Sequence, residues 1–402
     1  MKAVEGLKDW TCKSLRDLAT INYGRSPAAI LAVDGLYPVV GTGGAERLGN
    51  DYLYEGDSII LGRKGTIDRV HFATGRFWTI DTAYYLSNFK DSVPQWLFYF
   101  LQTIDLRQMN EATGVPSLSR DSLYKIEIPA PPKPEQTKIA EILSTVDRAI
   151  EQTEALIAKQ QRIKTGLMQD LLTRGIDEHG NLRSEQTHEF KDSPLGRIPV
   201  EWDVVTFGDI CAKAINGGTP STEIEKYWEG YIPWITGADI LNQKVSKIRR
   251  YITEEAVRNS STNVIPKGNM LIVTRTGVGK LAIAPFDVAV SQDFTGIVPN
   301  EKIKTEFLFW LLNNSTNYFL DLTQGTSING ITRKDLIRFV FSLPPLPEQR
   351  RIAEILIAAD DRIEKEEAYQ NKLQRTKTAL MQDLLKGKKR VTTLLKQEVT
   401  NV

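Results

Sequence analysis

Apolar residues recur at alternating steps of four and three along two stretches of the chain. The first series is Ile139, Leu143, Val146, Ile150, Thr153, Ile157, Gln160, Lys164, Leu167 and Leu171. The second is Ile352, Leu356, Ala359, Ile363, Glu366, Gln370, Leu373, Lys377, Leu380 and Leu384. Each series is apolar at its ends and polar in its middle, which is the pattern of a heptad seam. The pattern predicts two long helices of about 38 residues, each about 57 Å in length.

Both helices have the same start signal. Pro134 and Pro347 suit the first turn of a helix, where the missing N–H has no intrahelical partner to lose. Glu135 and Glu348 follow directly and place negative charge at the positive end of the helix dipole. The sequence therefore predicts that the two helices begin alike.

The two helical stretches are copies of each other. Residues 131–172 and 344–385 are 213 positions apart and agree at 26 of 42 positions. Weaker matches precede them: GDSIILGRKG over GNMLIVTRTG, which pairs Arg63 with Arg275 and Asp81 with Asp293, and LSRDSL over ITRKDL, which pairs Arg120 with Arg333. The chain is therefore an internal repeat of one globular domain followed by one helix.

Each helix has the other copy as its natural partner. A dyad relating the two halves predicts an intramolecular antiparallel coiled coil whose polar middle sets the register. A coiled coil between two chains, giving a homodimer, is the alternative.

The globular segments are typical of an α+β fold. Short apolar runs such as DSIILGR, NMLIVTR and RFVFSL alternate with turn signals such as GTGG, INGGTP and TGVGK. PQWLFYFLQTI and EFLFWLLNNS predict buried helices. The predicted organisation is a globular domain at 1–130, a long helix at 131–175, a linker at 176–200, a second globular domain at 201–343, a second long helix at 344–390 and a tail at 391–402.

Composition excludes several classes of protein. No apolar run reaches the ~20 residues of a membrane span, and the first residues carry no apolar signal-peptide core, so we expect a cytoplasmic protein. Two cysteines and three histidines show no metal-ligand spacing. The net charge is only +1, whereas a freestanding DNA-binding domain is usually strongly basic.

The motifs of enzyme catalysis and cofactor binding fail on inspection. APPK and LPPL are the only Pro-Pro sites, and neither fits the Asp/Asn-Pro-Pro-aromatic motif of adenine methyltransferases. GTGGAERLG has Glu46 where a dinucleotide loop needs its third glycine, and TGVGKL lacks the first glycine and the Ser/Thr of a P-loop. We therefore expect a recognition or scaffold subunit with no catalytic, cofactor or metal site of its own.

Two divergent globular domains that alternate with near-identical helices, each opening with PPxPEQxxIAEIL and closing with MQDLL, resemble the specificity subunit of a type I restriction–modification system. The resemblance covers essentially the whole chain. It implies that each globular domain is a target recognition domain for one half of a bipartite, asymmetric site in double-stranded DNA. It also implies helices that set the spacer and dock two methyltransferase subunits, which would carry S-adenosylmethionine, with restriction subunits in the full complex.

Polar side chains of the two globular domains are the candidates for DNA contact, because Arg, Lys, Asn and Gln read base edges and Ser and Thr assist at phosphates. In the first domain they are Tyr23, Arg25, Thr42, Arg63, Lys64, Thr66, Ser117, Ser119 and Arg120; in the second they are Thr219, Thr236, Arg275, Thr276, Lys280, Ser327, Asn329 and Arg333. For the repeat-matched arginines a phosphate or structural role is the alternative. The KGKKR run at Lys386–Arg390 is either a further DNA contact or a solvated helix end.

Two other functions remain open from the residues. One is a coiled-coil scaffold that joins two protein-binding domains without DNA specificity. The other is a fused methyltransferase with an unrecognised catalytic domain, against which the missing cofactor motifs argue.

Overall fold

The computed structural model describes residues 2–3, 7–323 and 330–395. The chain divides into two compact units, of which unit 1 comprises Met1–Ala155 and Glu367–Val402 and unit 2 comprises Leu156–Glu366. Both boundaries fall inside a long helix, so each unit holds one globular part and a segment of each long helix.

The first half of the chain contains eleven described strands and four α-helices. The strands are β1 Lys2–Ala3, β2 Thr11–Ser14, β3 Thr20–Tyr23, β4 Tyr37–Gly41, β5 Gly44–Gly49, β6 Tyr54–Glu55, β7 Ser58–Gly62, β8 Val70–Ala73, β9 Arg76–Thr79, β10 Ala83–Ser87 and β11 Glu127–Ala130. The helices are α1 Leu15–Leu18, α2 Pro94–Leu101, α3 Arg120–Tyr124 and the long helix α4 Lys133–Thr173, with a 3-10 turn at Leu106–Met109.

The second half contains fourteen described strands and six α-helices. The strands are β12 Phe190–Ser193, β13 Gly196–Pro199, β14 Asp203–Thr206, β15 Cys211–Asn216, β16 Ile232–Ile235, β17 Ile240–Leu241, β18 Lys244–Val245, β19 Arg250–Ile252, β20 Asn263–Ile265, β21 Met270–Val273, β22 Leu281–Ile283, β23 Val288–Val290, β24 Phe294–Pro299 and β25 Val340–Leu343. The helices are α5 Phe207–Ile210, α6 Glu254–Arg258, α7 Thr305–Asn314, α8 Thr316–Thr323, α9 Arg333–Arg338 and the long helix α10 Leu346–Leu384, with 3-10 turns at Glu225–Trp228 and Gly237–Asp239.

The sheets of the two units have the same topology. Unit 1 has the strand orders β3-β10-β7-β8 and β5-β4-β9-β6, and β2 pairs with β11. Unit 2 has β15-β24-β21-β22 and β19-β16-β23-β20, and β14 pairs with β25. Each unit includes one parallel pair in the same place, β4 with β9 and β16 with β23, among otherwise antiparallel ladders. The predicted α+β class and the repeat of the globular domain are confirmed.

The strand register corrects one predicted pairing. The backbone N–H of Arg63 donates to Thr82 O at 2.9 Å, and the matching bond in unit 2 runs from Thr274 to Asp293 O at 2.7 Å. Thr274, and not Arg275, therefore occupies the position of Arg63. A shift of one residue turns a side chain to the other face of a strand, so the predicted pairing of Arg63 with Arg275 is wrong.

The same register makes Lys64 the counterpart of Arg275. The sequence match used an offset of 212 residues, whereas the strands align at an offset of 211. The apolar run hides this shift of one residue, because Ile and Val fit either alignment. The predicted pairing of Asp81 with Asp293 is wrong for the same reason, since Thr82 is the residue that matches Asp293.

The second predicted arginine pair is correct. Arg120 opens α3 behind the capping residue Ser119, and Arg333 opens α9 behind the capping residue Thr332. The residue before each cap, Leu118 or Ile331, donates its N–H to the strand-end residue at 3.0 or 2.8 Å.

The heptad seam is confirmed in both helices. All twenty predicted seam residues are buried or half-buried, including Thr153 and Lys164 in the polar middle. In unit 1 the partners of Asp147 and Glu154 in α10 are Lys377 and Gln370, so partner numbers fall as α4 advances. The two helix segments of this unit therefore run antiparallel, as predicted.

Unit 2 repeats the antiparallel arrangement. Lys164 of α4 pairs with Asp360 of α10, and Leu171 packs in one cluster with Ile352 and Leu356. The predicted intramolecular pairing of the two helices is thus present in each unit.

Each core joins a globular part to both helices. In unit 1 the buried helix α2 packs in one cluster with Ile139 and Leu143 of α4 and with Leu384 of α10. In unit 2 helix α7 packs with Leu171 of α4 and with Leu356 of α10. The predicted buried helices are therefore the elements that fasten each globular part to its helix pair.

The segment predicted as a linker, 176–200, contains the β12–β13 hairpin. Within the described part of the chain, no helix is long and apolar enough to cross a membrane.

Candidate nucleic-acid interface

The start of α4 is held by a buried carboxylate. Glu135 is 2% exposed and accepts a hydrogen bond from Trp10 Nε1 at 3.2 Å. Arg390, which follows the end of α10, donates to the same carboxylate from Nε and Nη2, both at 2.8 Å. The glutamate of the Pro-Glu-Gln motif therefore binds two segments at once: the one that contains Trp10 and the one that follows α10. We call this arrangement an anchor.

Unit 2 builds the same anchor from different parts of the chain. Trp202 Nε1 donates to Glu348 at 3.1 Å, and Arg183, which follows the end of α4, pairs with both carboxylate oxygens. Both charged side chains of this pair are less than a tenth exposed.

The glutamine of the motif fixes the neighbouring helix. Gln136 accepts from Val93 N at 2.8 Å, at the start of α2, and donates to Pro131 O at 2.9 Å. Gln349 makes the equivalent bonds, accepting from Lys304 N at 2.8 Å and donating to Pro344 O at 2.8 Å. These bonds set the orientation of each globular part on its own helix pair.

Within the KGKKR run, Arg390 is bonded inside the protein and is not free to contact DNA. Its guanidinium is committed to Glu135, donates to Lys8 O at 2.9 Å and lies 5.7 Å from the Trp10 ring centroid. Lys389 pairs with Asp383 at 2.9 Å.

Charged residues in and beside each seam also contact the globular part. Asp147 accepts from Tyr99 OH at 2.7 Å and pairs with Lys377 Nζ at 2.6 Å. Burial and this hydrogen bond raise the pKa of Tyr99 well above its usual value. In unit 2 Asp360 pairs with Lys164, whose Nζ lies 4.8 Å from the ring centroid of Trp310.

Three predicted residues of unit 1 meet at one aromatic ring. Tyr23 ends β3 and is 48% exposed. The guanidinium carbon of Arg63 lies 5.3 Å from the Tyr23 ring centroid, and that of Arg120 lies 5.2 Å from it. Tyr84 packs edge-on against the same ring, and burial raises the pKa of Tyr84 to about 12. We call Tyr23, Arg63 and Arg120 the arginine–tyrosine cluster.

The loops beside this cluster carry three more predicted residues. Lys64 is exposed and forms a β-bridge with Ser117, which brings the loop after β7 next to the loop before α3. Ser119 caps α3 and donates its hydroxyl to Glu111 at 2.8 Å. The hydroxyl of Ser119 is thus already used inside the protein.

The remaining predicted residues of unit 1 are less closely tied to the cluster. Arg25 is exposed, two residues beyond Tyr23, and Thr66 is exposed in the loop after β7. Thr42 lies in the β4–β5 turn, where its carbonyl oxygen is 3.1 Å from His71 Nε2.

In unit 2 two predicted threonines are engaged internally. Thr219 donates its hydroxyl to Gln292. Thr236 caps a 3-10 turn and donates to Asp239 at 2.9 Å, while Asp239 pairs with Arg249 at 2.5 Å. The structure does not bring these two threonines into contact.

The loop after β21 carries the other predicted residues. Arg275 and Thr276 are exposed there, and Lys280 is half-buried with Nζ donating to Gly237 O at 2.9 Å. Arg333 is exposed at the start of α9. Ser327 and Asn329 lie outside the residues that the structure describes.

Two residues were missed by the sequence analysis. Asn216 lies opposite Thr295 in the sheet, as Tyr23 lies opposite Tyr84, so it occupies the place of Tyr23 in unit 2. Gln292 precedes Asp293 as Asp81 precedes Thr82, so Gln292 occupies the place of Asp81 in unit 2. Only the strand register reveals these positions, because the shared Ile-Asn of β3 and β15 would align Asn216 with Asn22 and not with Tyr23.

In the described ranges, no group of three or more His, Cys, Asp or Glu is placed to hold a metal ion. The exposed polar side chains at the strand ends, with several cations among them, are the features suited to an extended anion.

Residues 7–160 and 199–375 match the family described as type I restriction modification DNA specificity domain. The type I restriction enzyme MjaIX specificity subunit of Methanocaldococcus jannaschii is 36% identical over 181 residues, 44% of this chain and 42% of that protein. The putative MjaX specificity subunit of the same organism is 32% identical over 308 residues, 75% of this chain and 69% of that protein. The chain thus spans less than half of the first relative and about two thirds of the second.

A solved structure has the same fold. The type I restriction–modification S subunit from M. genitalium superposes with a TM-score of 0.68 at 16% identity, covering 96% of this chain and 98% of that one. At this identity the likeness concerns the fold alone.

Proposed function

Because the chain belongs to the family of type I restriction–modification specificity subunits, whose members are the non-catalytic component of their complexes, we propose that it gives such a complex its DNA sequence specificity. Each globular part reads one half of a bipartite, asymmetric site in double-stranded DNA. The paired helices set the spacing between the two halves.

One observation carries this proposal. The two units share sheet topology and the contacts at the helix starts, yet their exposed strand ends carry different side chains. Selection for two sequence readers on one repeated frame produces this combination, since base contacts specify and the frame only positions.

The near-identical helices support the choice of partners. We infer that two copies of one methyltransferase subunit dock on them and carry S-adenosylmethionine, so that this chain needs no cofactor. Restriction subunits complete the assembly, which acts in the cytoplasm. Partner subunits would also supply phosphate neutralisation that a chain of net charge +1 lacks.

The alternative is a scaffold that joins two protein-binding domains. No described contact or surface favours it, and the family match argues against it.

Mapping modified adenines tests the proposal. The chain would be expressed with its methyltransferase partner, and the methylated sites in the host genome sequenced. We expect one bipartite motif with a fixed spacer. Methylation without any common motif, together with sequence-independent DNA binding by the assembled complex, would refute the proposal.

The role of the helices has its own test. Inserting four residues into the middle of both α4 and α10 lengthens each helix by ~6 Å, or about two base pairs at ~3.4 Å per base pair. We expect both half-sites to persist with a spacer about two base pairs longer. An unchanged spacer in a methylating variant would exclude the helices as the spacing element.

A further inference from the structure

We propose that Arg63 reads a guanine in the half-site of unit 1, that Tyr23 positions Arg63, and that Arg120 contacts a DNA phosphate. This inference rests on the proposed function. It divides the arginine–tyrosine cluster into a base contact, a positioning residue and a backbone contact.

The first argument is that two positively charged side chains, Arg63 and Arg120, lie over the ring of Tyr23. Two guanidinium groups lie about equally far from the Tyr23 ring, at 5.3 and 5.2 Å, although like charges repel. The quadrupole of the tyrosine ring offsets part of this repulsion. Among the ion pairs of the described residues, none includes Arg63 or Arg120.

The nearby carboxylates Glu111 and Asp121 are bonded to other residues and form no ion pair with either arginine of the cluster. Glu111 accepts from the hydroxyls of Ser119 and Ser122, which lower its pKa, and Asp121 pairs with Arg16. Neither guanidinium of the cluster has an ion-pair partner among the described residues, so both are available to a polyanion.

Arg63 and Arg120 differ in how firmly they are held. Arg63 is half-buried, and its Nη1 donates to Asp81 O at 2.9 Å in addition to its contact with Tyr23. Arg120 is exposed on the first turn of α3. A guanidinium fixed on two sides loses little entropy on forming a bidentate contact, and guanine O6 and N7 are the base edge that its fork fits.

The comparison with unit 2 separates the roles. Asn216 and Thr274 stand where unit 1 has Tyr23 and Arg63, whereas Arg333 stands where it has Arg120. A contact to phosphate carries no sequence information and serves both units, while a base contact must differ between unlike half-sites. The shared arginine is thus the backbone contact, and the unshared one is the reader.

The test uses the full chain assembled with its methyltransferase subunits. The complex selects DNA from a library of random duplexes, and affinity for the selected motif and its single-base variants is then measured at several salt concentrations. For Arg63→Ala we expect one G·C pair in one half-site to become degenerate, with about 5- to 150-fold weaker binding to the original motif. The other half-site should be unchanged.

Matched variants separate the effect of the planar guanidinium geometry of Arg63 from the effect of its positive charge. Arg63→Lys keeps the charge and loses the planar fork, so it should weaken the guanine preference without weakening binding to all sequences alike. Tyr23→Phe keeps the ring and should retain the motif, whereas Tyr23→Ala should weaken discrimination at the same base pair. Arg47→Ala, at an exposed position of β5, controls for loss of one positive charge in unit 1.

Arg120→Ala should weaken binding to all sequences alike and lower the salt slope by about one. If Arg63→Ala weakens all sequences uniformly, Arg63 is a backbone contact and the inference is wrong. If the wild-type complex selects no motif at all, the proposed function itself fails.

Discussion

The anchors at the two helix starts and the two exposed strand ends diverged by very different amounts. Glu135 and Glu348 bind the same kinds of partner, an indole and a guanidinium. At the strand ends, the position held by Tyr23 in unit 1 is held by Asn216 in unit 2, although the strand register is the same. A buried carboxylate tolerates no change of partner, because an unpaired buried charge is costly, whereas an exposed side chain is replaced at little cost to the fold.

The two anchors are nevertheless not equally buried. The side chain of Arg183 is 8% exposed and that of Arg390 is 25% exposed. The same chemistry therefore has a different energetic weight in each unit.

We predict the largest effect for removal of the carboxylate that pairs with the more buried arginine. Glu348→Ala leaves the buried Arg183 guanidinium with only the half-exposed Glu201, 3.9 Å from its Nε, and should lower the free energy of unfolding by about 3–5 kcal/mol. Glu135→Ala should cost clearly less, because water reaches Arg390. Denaturant unfolding of the two variants measures the difference, and equal losses would show that burial of the arginine does not decide the cost.

A second prediction concerns the contact between helix and globular part. Tyr99 donates to Asp147, whereas the counterpart Trp310 has a buried Nε1 without a partner among the described residues. Asp147→Asn should therefore lower the free energy of unfolding by about 1.5–3 kcal/mol, while Asp360→Asn, which loses only a lysine contact, should cost about 0.5–1 kcal/mol.

A double-mutant cycle with Tyr99→Phe isolates the phenol's share of this contact. The loss caused by Asp147→Asn should shrink in the Tyr99→Phe background. Strictly additive losses would mean that the Tyr99–Asp147 bond stabilises nothing.

The helices and their seam were predictable from the sequence because a heptad pattern depends on local spacing alone. Every predicted seam residue is at least half-buried. The proline and glutamate of the start signal were read correctly as helix-start residues. The partners Trp10 and Arg390 were not foreseen as partners of Glu135, since 125 and 255 residues separate them from it.

The surface of the globular parts was less predictable. Arg63 and Arg120 were both candidates, but their convergence on Tyr23 depends on strands β3 and β7 and helix α3, which lie far apart in sequence. The pairing of Arg63 with Arg275 failed because an apolar run aligns equally well in two registers. Hydrogen bonds between strands, which have no local signature, decide between them.

The smallest predicted effect separates the caps of α3 and α9. Thr332 and Asp335 form a reciprocal capping box, in which hydrogen bonds from the Thr332 side chain and N–H lower the pKa of Asp335. Ser119 caps α3 with Ser122 at the matching position, so this cap has no carboxylate of its own and only Glu111, from the preceding loop, accepts from the two serine hydroxyls. Thr332→Ala should lower the free energy of unfolding by about 1 kcal/mol at neutral pH, as should Ser119→Ala.

Acid should distinguish the two caps. A carboxyl whose pKa is lower in the folded state stabilises the protein above its unfolded pKa and loses that contribution as the pH falls through the folded pKa. The cost of Thr332→Ala should therefore shrink as the pH falls below the ordinary aspartate pKa of about 4 toward the lowered pKa of Asp335. The Ser119→Ala cost reflects a hydroxyl that also bonds Glu111, so Ser119→Ala is compared in a Glu111→Gln background. There its cost should be independent of pH, and a parallel decline in both variants would show that Asp335 is not the titrating group.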